Sequence, residues 1–517
     1  MNDQLNQLEQ SILQQDSDTG NQADRTLGER HPTVYLGLMI LFASMAYVWL
    51  LLFPLLFVFL VVTIPYDLFQ ASGYLQYSMV LLEMVAAVVA AWISHALFKF
   101  RLAYPSGRPL HDHEAPILRT FIDELCRKQH APRIDRIRIV RDFSIDLVRT
   151  PINGYPLVYN GSLLIGLPLM QSLNARQLLL RIEREIIMSS GDFKRPVSWV
   201  VFTHKLCRQY YAAWRKNWTV PSLFMRAFFS WYVPLLNILS QPAFRMQHYA
   251  ADNKMQTSVR DQTLVEMLIT ENISGHYLTN DFWPHLYNKA YRHKQPPYLP
   301  YASLDHNLRL KLNQENAQTW LNADLEKSAQ HSDLPALRQR LNRLGVHRVS
   351  LPPPVTESAA QYFLANNHKI IADQLDRVWL KTHEFEWQQK YQQGLSQQQR
   401  LRTLIIQAMQ HLLSDDTSWE LLQLGKRYLS EEQMLPMFKQ ILQNSLSDAR
   451  IFFDIGRNLL IQNDAQGVMA LEKAMMFNEG YTVIACQLMT KYFVRIGNSR
   501  SAQNYRRRAL AFQANAA

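Results

Sequence analysis

Hydrophobic residues are concentrated in two stretches near the start of the chain. No Asp, Glu, Lys or Arg occurs from His31 to Tyr66, and the apolar core of this stretch runs from Val34 to Ile64. That length exceeds the roughly 20 residues that a bilayer-spanning helix needs. A second apolar stretch, Leu75 to Phe98, is also long enough, and the connection Pro65 to Tyr74 between them is short. The pattern predicts a membrane hairpin of two helices.

Charged residues near this hairpin predict its orientation and raise one question. Cations flank both spans, namely Arg25, Arg30, Lys99, Arg101 and Arg108. The positive-inside rule therefore places both flanks, and the long C-terminal part, in the cytoplasm. Glu83 lies within the second span, where a charged acid is costly. Two interpretations stay open for Glu83: it is protonated or packed against the first helix, or it faces a partner.

Beyond Phe100 the pattern becomes that of a soluble, mostly helical region with a few strands. Alternating apolar and polar residues predict a strand at Ile134 to Val140, and the apolar runs Tyr155 to Tyr159 and Leu163 to Leu167 predict a second strand or a hairpin. Asn174 with Gln177 forms a capping-box pattern that opens a helix, which should stop at Ser189-Ser190-Gly191. Further helices are predicted near residues 196–214, 222–239, 241–258 and 260–271. Two proline-rich segments, Gln295 to Pro300 and Pro352 to Pro354, are typical of boundaries between packed units.

The last hundred residues contain a weak repeat of small side chains. Gly467 and Ala474 recur 35 residues later as Ala502 and Ala509. Small residues at seven-residue spacing allow the close packing of paired helices found in tetratricopeptide-like units. The alternative is a plain helical bundle.

Composition narrows the possible functions without selecting one. The 517 residues include 54 Lys and Arg against 43 Asp and Glu, a formal charge of +11, so nucleic acid and an anionic membrane surface are both conceivable partners. Only three cysteines occur, Cys126, Cys207 and Cys486, and none is in a CxxC pair. This excludes a disulfide framework and a thiolate zinc ribbon, and it favours a reducing compartment.

The basic and aromatic run Arg208 to Trp218 has two interpretations. Interleaved cations and rings suit a nucleic-acid or headgroup-binding face, which would require a continuous Lys/Arg surface from Arg208 to Lys216. Helical spacing instead places four residues on one face, namely Tyr210, Ala213, Trp214 and Asn217. That spacing favours a packed amphipathic helix near the membrane.

Common catalytic motifs are absent from the sequence. No P-loop, GxGxxG or GxSxG occurs, and the pairs His113-Glu114 and His383-Glu384 lack the further histidine of an HExxH zinc site. His111 and His113 form an HxH pair, for which surface exposure or capping is the simpler interpretation and metal binding the alternative.

Three phrases appear in an order typical of one enzyme family. They are DHEAPILRTFIDELCRKQHAPRIDRIRI, LLIGLPLMQSLNARQLLLRIEREI and QPAFRMQHYAADNKMQ. Between about Asp112 and Leu310 the chain thereby resembles the membrane-anchored zinc metallopeptidases that include the HtpX heat-shock protease and the CAAX prenyl protease, peptidase family M forty-eight. In intact members the second phrase ends in HExxH. The third carries ExxxD, whose glutamate is the last zinc ligand and whose aspartate orients the site.

The resemblance implies a zinc site that this chain has lost. The HExxH frame falls on Arg184 to Met188, so both zinc-binding histidines are replaced and only the general-base position, Glu185, persists. In the ExxxD frame the ligand position is His248 and the orienting acid is Asp252. A catalytic zinc needs three protein ligands, and neither a guanidinium nor a thioether replaces imidazole. One remaining ligand cannot hold the metal, so we expect no cofactor.

Two arrangements of Arg184 follow from this substitution. Arg184 supplies the positive charge for Glu185 and Asp252 in a buried ion-pair network, or it faces solvent beside Glu183 and Glu185 on a charged helix edge. His248 and Asp252, four residues apart on one helix, are expected to form a hydrogen-bonded pair.

The sequence thus predicts a mainly α protein with a transmembrane hairpin, a zincin-like α+β domain of few strands and a tetratricopeptide-like tail. The predicted segments are a polar tail (1–32), the hairpin (33–99), a metallopeptidase-like domain (100–310), a helical connector (311–400) and the helical tail (401–517). We expect two spans with both termini cytoplasmic, in a bacterial inner membrane.

The expected function is that of an inactive pseudopeptidase that binds or scaffolds proteins at the membrane. Its expected partners are the lipid bilayer and a protein or peptide, which would bind in the cleft of the degenerate peptidase site or on the C-terminal repeats. We expect no nucleic-acid partner. The alternative is an active zinc endopeptidase with an unorthodox ligand set, which would need another histidine, such as His204, beside His248 and Glu185.

Overall fold

The computed structural model describes most of the chain. The described residues are 31–70, 73–190, 195–216, 219–258, 262–311, 314–326, 335–410, 412–442 and 447–516. Helix accounts for 76% of the described residues and strand for 5%, which confirms the mainly α prediction. Residues 1–30 of the predicted N-terminal tail, including Arg25 and Arg30, lie outside the described residues, as does Gly191.

The chain divides into two compact units. The first comprises Met1–Pro284 and Tyr298–Lys381, and the second comprises His285–Pro297 and Thr382–Ala517. The proline-rich segment Gln295 to Pro300 includes one of these boundaries, whereas Pro352 to Pro354 lies inside the first unit. The finer division into five segments stays a prediction.

The helices and strands of the first unit follow one another in short steps. They are α1 (Pro32–Gln70), α2 (Tyr74–Lys99), β1 (Arg108–Leu110), α3 (Pro116–Lys128), β2 (Arg136–Val140), β3 (Ile145–Pro151), β4 (Tyr159–Gly166), α4 (Leu167–Ser172), α5 (Ala175–Ser189), α6 (Pro196–Arg215), α7 (Val220–Leu239), α8 (Gln241–Ser258), α9 (Thr263–Tyr277), a π-helical turn (Leu278–Phe282), α10 (Trp283–Lys289), α11 (Pro300–Lys311), α12 (Gln314–Glu326), α13 (Leu337–Arg343) and α14 (Ala359–Leu364). Helix α10 belongs to this unit only up to Pro284, and helix α15 (Asn367–Met409) belongs to it up to Lys381.

Three helices among the described residues are long and apolar enough to cross a membrane: α1, α2 and α7. Helix α1 continues through Pro65 to Gln70, so the predicted connection from Pro65 is wrong at its start. A proline inside a helix removes one backbone hydrogen bond, and α1 contains two, Pro54 and Pro65. Glu83 is half-buried, and one of its carboxyl oxygens is buried with no hydrogen-bond partner among the described residues.

Helix α7 packs antiparallel along the first half of α1. The Tyr35 hydroxyl at the start of α1 donates to the carbonyl of Leu239 at the end of α7, at 2.7 Å. About four turns further along α1, the rings of Trp49 and Phe228 stack at 4.8 Å. Helices α1, α2, α6 and α7 share one apolar core. The third apolar helix therefore lies directly against the predicted membrane hairpin.

A four-stranded sheet of order β1-β2-β4-β3 supports the next part of the unit. Strand β2 lies within the predicted strand and pairs parallel with β4, whereas β4 and β3 pair antiparallel as a hairpin. The predicted second strand corresponds to β4, which contains Asn160 and Gly161, so the alternative of a hairpin between the two apolar runs is wrong. The antiparallel partner of β4 is instead β3, which the sequence did not predict. Of the predicted run Tyr155 to Tyr159 only Tyr159 is in a strand, because β4 begins there and residues 155–158 form a bend and a turn.

The capping box predicted at Asn174 is confirmed. Its Oδ1 accepts from the Gln177 backbone N–H at 2.9 Å, and the Asn174 N–H donates to Gln177 Oε1 at 3.1 Å. These two bonds satisfy backbone donors that would otherwise be lost at the start of α5. Helices α6, α7, α8 and α9 match the predicted helices within a few residues at most ends, although α9 continues to Tyr277.

The second unit is a series of helices. After the C-terminal part of α15 come α16 (Asp415–Tyr428), α17 (Glu431–Ile441), α18 (Ala449–Ile461), α19 (Gln466–Phe477), a 3-10 turn (Glu479–Tyr481), α20 (Thr482–Arg495) and α21 (Ser499–Ala516). The four small residues of the predicted repeat, Gly467, Ala474, Ala502 and Ala509, are buried. Their burial agrees with close helix packing, and the assignment to tetratricopeptide-like units stays a prediction.

Candidate functional site

Helix α5 carries the residues of the HExxH frame and is buried on nearly every side. Every residue from Ile182 to Ser189 is buried, although the stretch includes Glu183, Arg184 and Glu185. Helices α3, α8 and α9 and strand β3 all contact α5. Charged side chains in such a helix require partners, because an unpaired buried charge is very costly.

Arg184 lies at the centre of a buried polar network. Its side chain is 2% exposed, and its Nε donates to Asp252 Oδ1 at 2.6 Å. Its Nη2 lies 2.7 Å from Nδ1 of His248, and both His248 and Asp252 are on helix α8. Arg340 of α13 completes the network, because its Nε and Nη2 donate to the two oxygens of Asp252 at 2.8 and 3.0 Å. Arg184 is therefore in the buried arrangement and does not face solvent.

The charges of this network determine the protonation of its members. Burial raises the pKa of Asp252, but Arg340 and Arg184 outweigh that effect and lower it to about 2. Burial, followed by the nearby Arg184 and Arg340, holds the pKa of His248 well below its usual range. Burial, followed by the charge of Arg340, lowers the pKa of Arg184 to about 10. At neutral pH the network thus contains two guanidinium cations, one carboxylate and one neutral imidazole.

The tautomer of His248 follows from its neighbour. A guanidinium has five N–H donors and no acceptor, so its contact with a ring nitrogen is a hydrogen bond only when that nitrogen accepts. His248 Nδ1 is therefore the acceptor and Nε2 carries the proton. The predicted His248–Asp252 hydrogen bond is replaced by this arrangement, in which Arg184 contacts both side chains.

Glu185 belongs to a second group of ion pairs. Its Oε2 accepts from Arg181 Nη1 at 3.3 Å, its Oε1 lies 3.7 Å from Lys205 Nζ, and the same oxygen accepts from the Leu147 N–H at 3.4 Å. Burial raises the pKa of Glu185, but Lys205 and Arg181 outweigh it and the pKa is lowered. The expected pairing of Arg184 with both acids is thus correct for Asp252, while cations of α5 and α6 pair with Glu185.

The residues at these positions do not fit a zinc ion. The one position with a possible ligand atom, His248, uses Nδ1 to accept from Arg184, whose fixed cation would lie beside any metal. Met188 offers a thioether, which is a poor zinc ligand. Among the described residues no group of three or more His, Cys, Asp or Glu side chains is arranged to hold a metal ion.

The histidines named as alternatives have other contacts. His204 of α6 is buried, and its Nε2 is hydrogen-bonded to Asn237 Oδ1 of α7. His111 and His113 are exposed, and their rings stack at 5.5 Å. The unorthodox ligand set that an active enzyme would need is not formed within the part of the chain that the structure describes.

The sequence did not identify Arg340, which contributes two of the hydrogen bonds to Asp252. It lies 88 positions further along the chain, in a short helix whose other arginines are exposed. No pattern in the sequence distinguishes Arg340 from Arg338 or Arg343. The ion pair depends on the packing of α13 against α8, which is a tertiary contact.

A cleft of about 600 Å³ lies beside this network, and we call it the β3–α6 cleft. Its lining includes Asp146 to Arg149 of β3, Glu185, Met188 and Ser189 of α5, one face of α6 between Val201 and Arg215, and Val233, Pro234 and Asn237 of α7. Strand β3 is at the edge of the sheet. The Leu147 N–H donates to Glu185, and the Arg149 carbonyl accepts from Gln209 Nε2 at 3.2 Å. These bonds occupy two backbone groups that an added peptide strand would use.

Helix α6 lines this cleft with one face and packs against the apolar helices with another. Tyr210 and Trp214 are buried, and Trp214 stacks on Phe100 at 3.8 Å. Arg208 and Arg215 are exposed on another face. The prediction of a packed amphipathic helix is thereby supported for Tyr210 and Trp214, while Asn217 and Trp218 lie outside the described residues.

Comparison with known proteins gives no assignment. No protein-family model, no curated protein and no solved structure matches this chain.

Proposed function

We propose that this chain is a membrane-anchored, metallopeptidase-like protein that does not hydrolyse peptides and acts by binding a protein partner at the cytoplasmic face. The observation that carries the proposal is the position of Arg184. Its guanidinium is bonded to Asp252 and His248, the orienting acid and the ligand position that the resemblance assigns. A fixed cation at that point opposes binding of a second cation, so the site lacks the activated water of a metallopeptidase.

The state of Glu185 supports the same conclusion. A general base works best when its pKa lies near the working pH. Arg181 and Lys205 stabilise the Glu185 carboxylate and lower its pKa, which makes it a weaker base. The metal position and the general-base position that the resemblance assigns are therefore both paired with cations.

The three apolar helices support anchoring in a membrane. We propose that α1 and α2 span the bilayer as a hairpin with both flanks cytoplasmic, as in a bacterial inner membrane. Helix α7, which packs on α1, exposes large apolar side chains such as Phe224, Trp231 and Ile238. We propose that this face of α7 contacts lipid, because a large exposed apolar surface is unfavourable in water.

The second unit is the proposed surface for the protein partner. Helix α19 exposes Met469 and Met476, which are seven residues apart and therefore on one helix face, with exposed fractions of 64% and 80%. Flexible methionine side chains suit a surface that adapts to a partner. The β3–α6 cleft is less suitable for a peptide strand because side chains already occupy two backbone groups of β3.

Zinc stoichiometry tests the loss of the metal site. The full chain is purified in detergent without chelator, and zinc is measured by mass spectrometry for the wild type and for the triple variant R184H/M188H/H248E. We expect the wild type to contain far less than one zinc per chain. The triple variant should contain about one, because it supplies three nitrogen and oxygen ligands in the family's pattern.

The single variant M188H is the matched control, since it adds one ligand and leaves Arg184 in place. A tightly bound equivalent of zinc in the wild type would show that the pseudopeptidase proposal is wrong. A folded triple variant without zinc would show instead that the resemblance has assigned the wrong positions.

A further inference from the structure

Positive charge is concentrated on the α6 wall of the β3–α6 cleft. Lys205, Arg208 and Arg215 all line the cleft, at spacings that place them on one side of the helix. Arg149 of β3 lines it from the opposite wall. The acids in the lining are Asp146 and Glu185, and both lie within 4 Å of Lys205. The charges of Arg208 and Arg215 are therefore not balanced by carboxylates of the cleft.

The two arginines are also available for a ligand. Both are exposed, and among the described residues Arg208 has no ion-pair partner. The guanidinium of Arg215 lies over the ring of Tyr211, 5.6 Å from its centre, which positions the charge without neutralising it. Arginine forms bidentate hydrogen bonds to phosphate, so this pair suits a phosphate group.

The remaining lining of the cleft is apolar and comes partly from a candidate membrane helix. Val233 and Pro234 belong to α7, and Val201, Phe202 and Leu206 belong to α6. A ligand that fills the whole cleft thus needs an anionic part and a hydrocarbon part. A free phosphate or an acidic peptide would leave these apolar side chains without a matching surface.

The α6 wall of the β3–α6 cleft lies near the end of α2. Trp214, one residue before Arg215, stacks on Phe100, and Phe100 directly follows the last residue of α2. Where α2 spans a bilayer, Phe100 and Trp214 are at the level of the interface, which is the depth of lipid headgroups. Basic pockets between membrane helices on the cytoplasmic side bind anionic headgroups.

We infer that the β3–α6 cleft binds an anionic phospholipid. Arg208 and Arg215, with Lys205, hold the headgroup phosphate, and the start of an acyl chain lies on Val233, Pro234 and Phe202. This inference rests on the membrane anchoring in the proposed function and is independent of the zinc question.

Lipid binding is tested on the full chain in detergent micelles with two fluorescent probes, labelled phosphatidylglycerol and labelled phosphatidylcholine. We expect the wild type to prefer phosphatidylglycerol. In R208Q/R215Q the affinity for phosphatidylglycerol should fall about thirtyfold, since each basic residue near a headgroup contributes about fivefold. The affinity for phosphatidylcholine should change little.

The charge-matched control is R506Q/R507Q, which removes two exposed arginines from α21 in the second unit. This control should keep the preference for phosphatidylglycerol. Equal affinities of the wild type for the two lipids, or equal losses in both double variants, would overturn the inference. So would displacement of phosphatidylglycerol by inorganic phosphate or by polyglutamate at comparable concentration, which would identify a phosphate or acidic-peptide site.

Carbonate extraction of membranes tests the proposed membrane anchoring independently of the lipid preference. Both double variants should stay in the membrane fraction like the wild type, because α1, α2 and α7 are unchanged. Release of the wild type itself would contradict the anchoring, whereas retention without a lipid preference would contradict only the lipid site.

Discussion

Removal of Asp252 should destabilise the first unit more than any surface substitution. Its side chain accepts three hydrogen bonds from two guanidinium groups, at 2.6, 2.8 and 3.0 Å, and is 1% exposed. In D252A the cations of Arg184 and Arg340, which are 2% and 8% exposed, remain buried without a counterion. Breaking a buried pair in this way costs about 3–5 kcal/mol.

Hydrogen exchange measured by mass spectrometry reports this loss locally, without assuming that the whole chain unfolds in one step. Peptides that cover α5 and α8 should exchange about two to three and a half orders of magnitude faster in D252A, because each 1.4 kcal/mol is about tenfold. The matched control is D123A. Asp123 also pairs with an arginine, Arg119 at 3.1 Å, but its side chain is 37% exposed, so its loss should cost less than about 1 kcal/mol.

A compensating variant checks whether charge imbalance is the cause. In R184M/D252L/R340M both cations and the acid are replaced together by apolar side chains. The remaining cost should then be mainly that of His248, whose Nδ1 loses its donor, about 1–3 kcal/mol. The reasoning is refuted if D252A behaves like D123A, or if the triple variant exchanges faster than D252A.

Three further outcomes are expected. Because the pKa of Asp252 is lowered from 3.8 to about 2, its ion pairs stabilise the fold above about pH 4 and are lost as the pH falls. In urea titrations, the difference in unfolding free energy between wild type and D252N should therefore shrink by about 2 kcal/mol between pH 4.5 and pH 2. The variant G456A should destabilise the second unit by about 1–3 kcal/mol in thermal melts, since its Cβ would lie 2.8 Å from Leu471 Cγ and 2.9 Å from the Gly467 carbonyl oxygen. The control variant G480A, at an exposed turn position, should leave the melting temperature nearly unchanged. A cysteine at Phe224 should resist aqueous maleimide in intact membranes and react after detergent is added, and labelling before detergent would contradict lipid contact by α7.

The parts of the fold that the sequence predicted are those with strong local patterns. The long apolar runs and the Asn174 capping box have local causes, and the structure contains the corresponding helices. Strand β3 was missed because its burial breaks the simple alternation: Arg149 and Thr150 are both buried. Arg149 is accommodated by donating to the Ser189 carbonyl at 3.0 Å, a contact 40 residues away. Strand β1 has three residues, too few for a pattern.

The arrangement of the candidate site could not be predicted either, because no local pattern in the sequence determines it. Successive helix residues point about 100° apart, so the sequence around Arg184 could not distinguish burial from exposure in a helix with acids on both sides. Helix α5 is buried on nearly every side from Leu180 to Ser189, so this part of it has no solvent-facing side to which its charges could be assigned. Only the tertiary positions of α8 and α13 bring Asp252 and Arg340 to Arg184.

The separation of the two ion-pair groups has a consequence for any attempt to restore hydrolysis. Restoring ligands at positions 184, 188 and 248 removes the Arg184 cation, but Arg181 and Lys205 remain on Glu185. Arg181 is also bonded to Glu271 of α9 at 3.0 Å, so it is held by a second acid. A carboxylate stabilised by two cations is a weak base. The R184H/M188H/H248E variant should therefore bind zinc and still fail to hydrolyse a peptide. Activity should require a further change, such as R181M with K205M, that frees the Glu185 carboxylate.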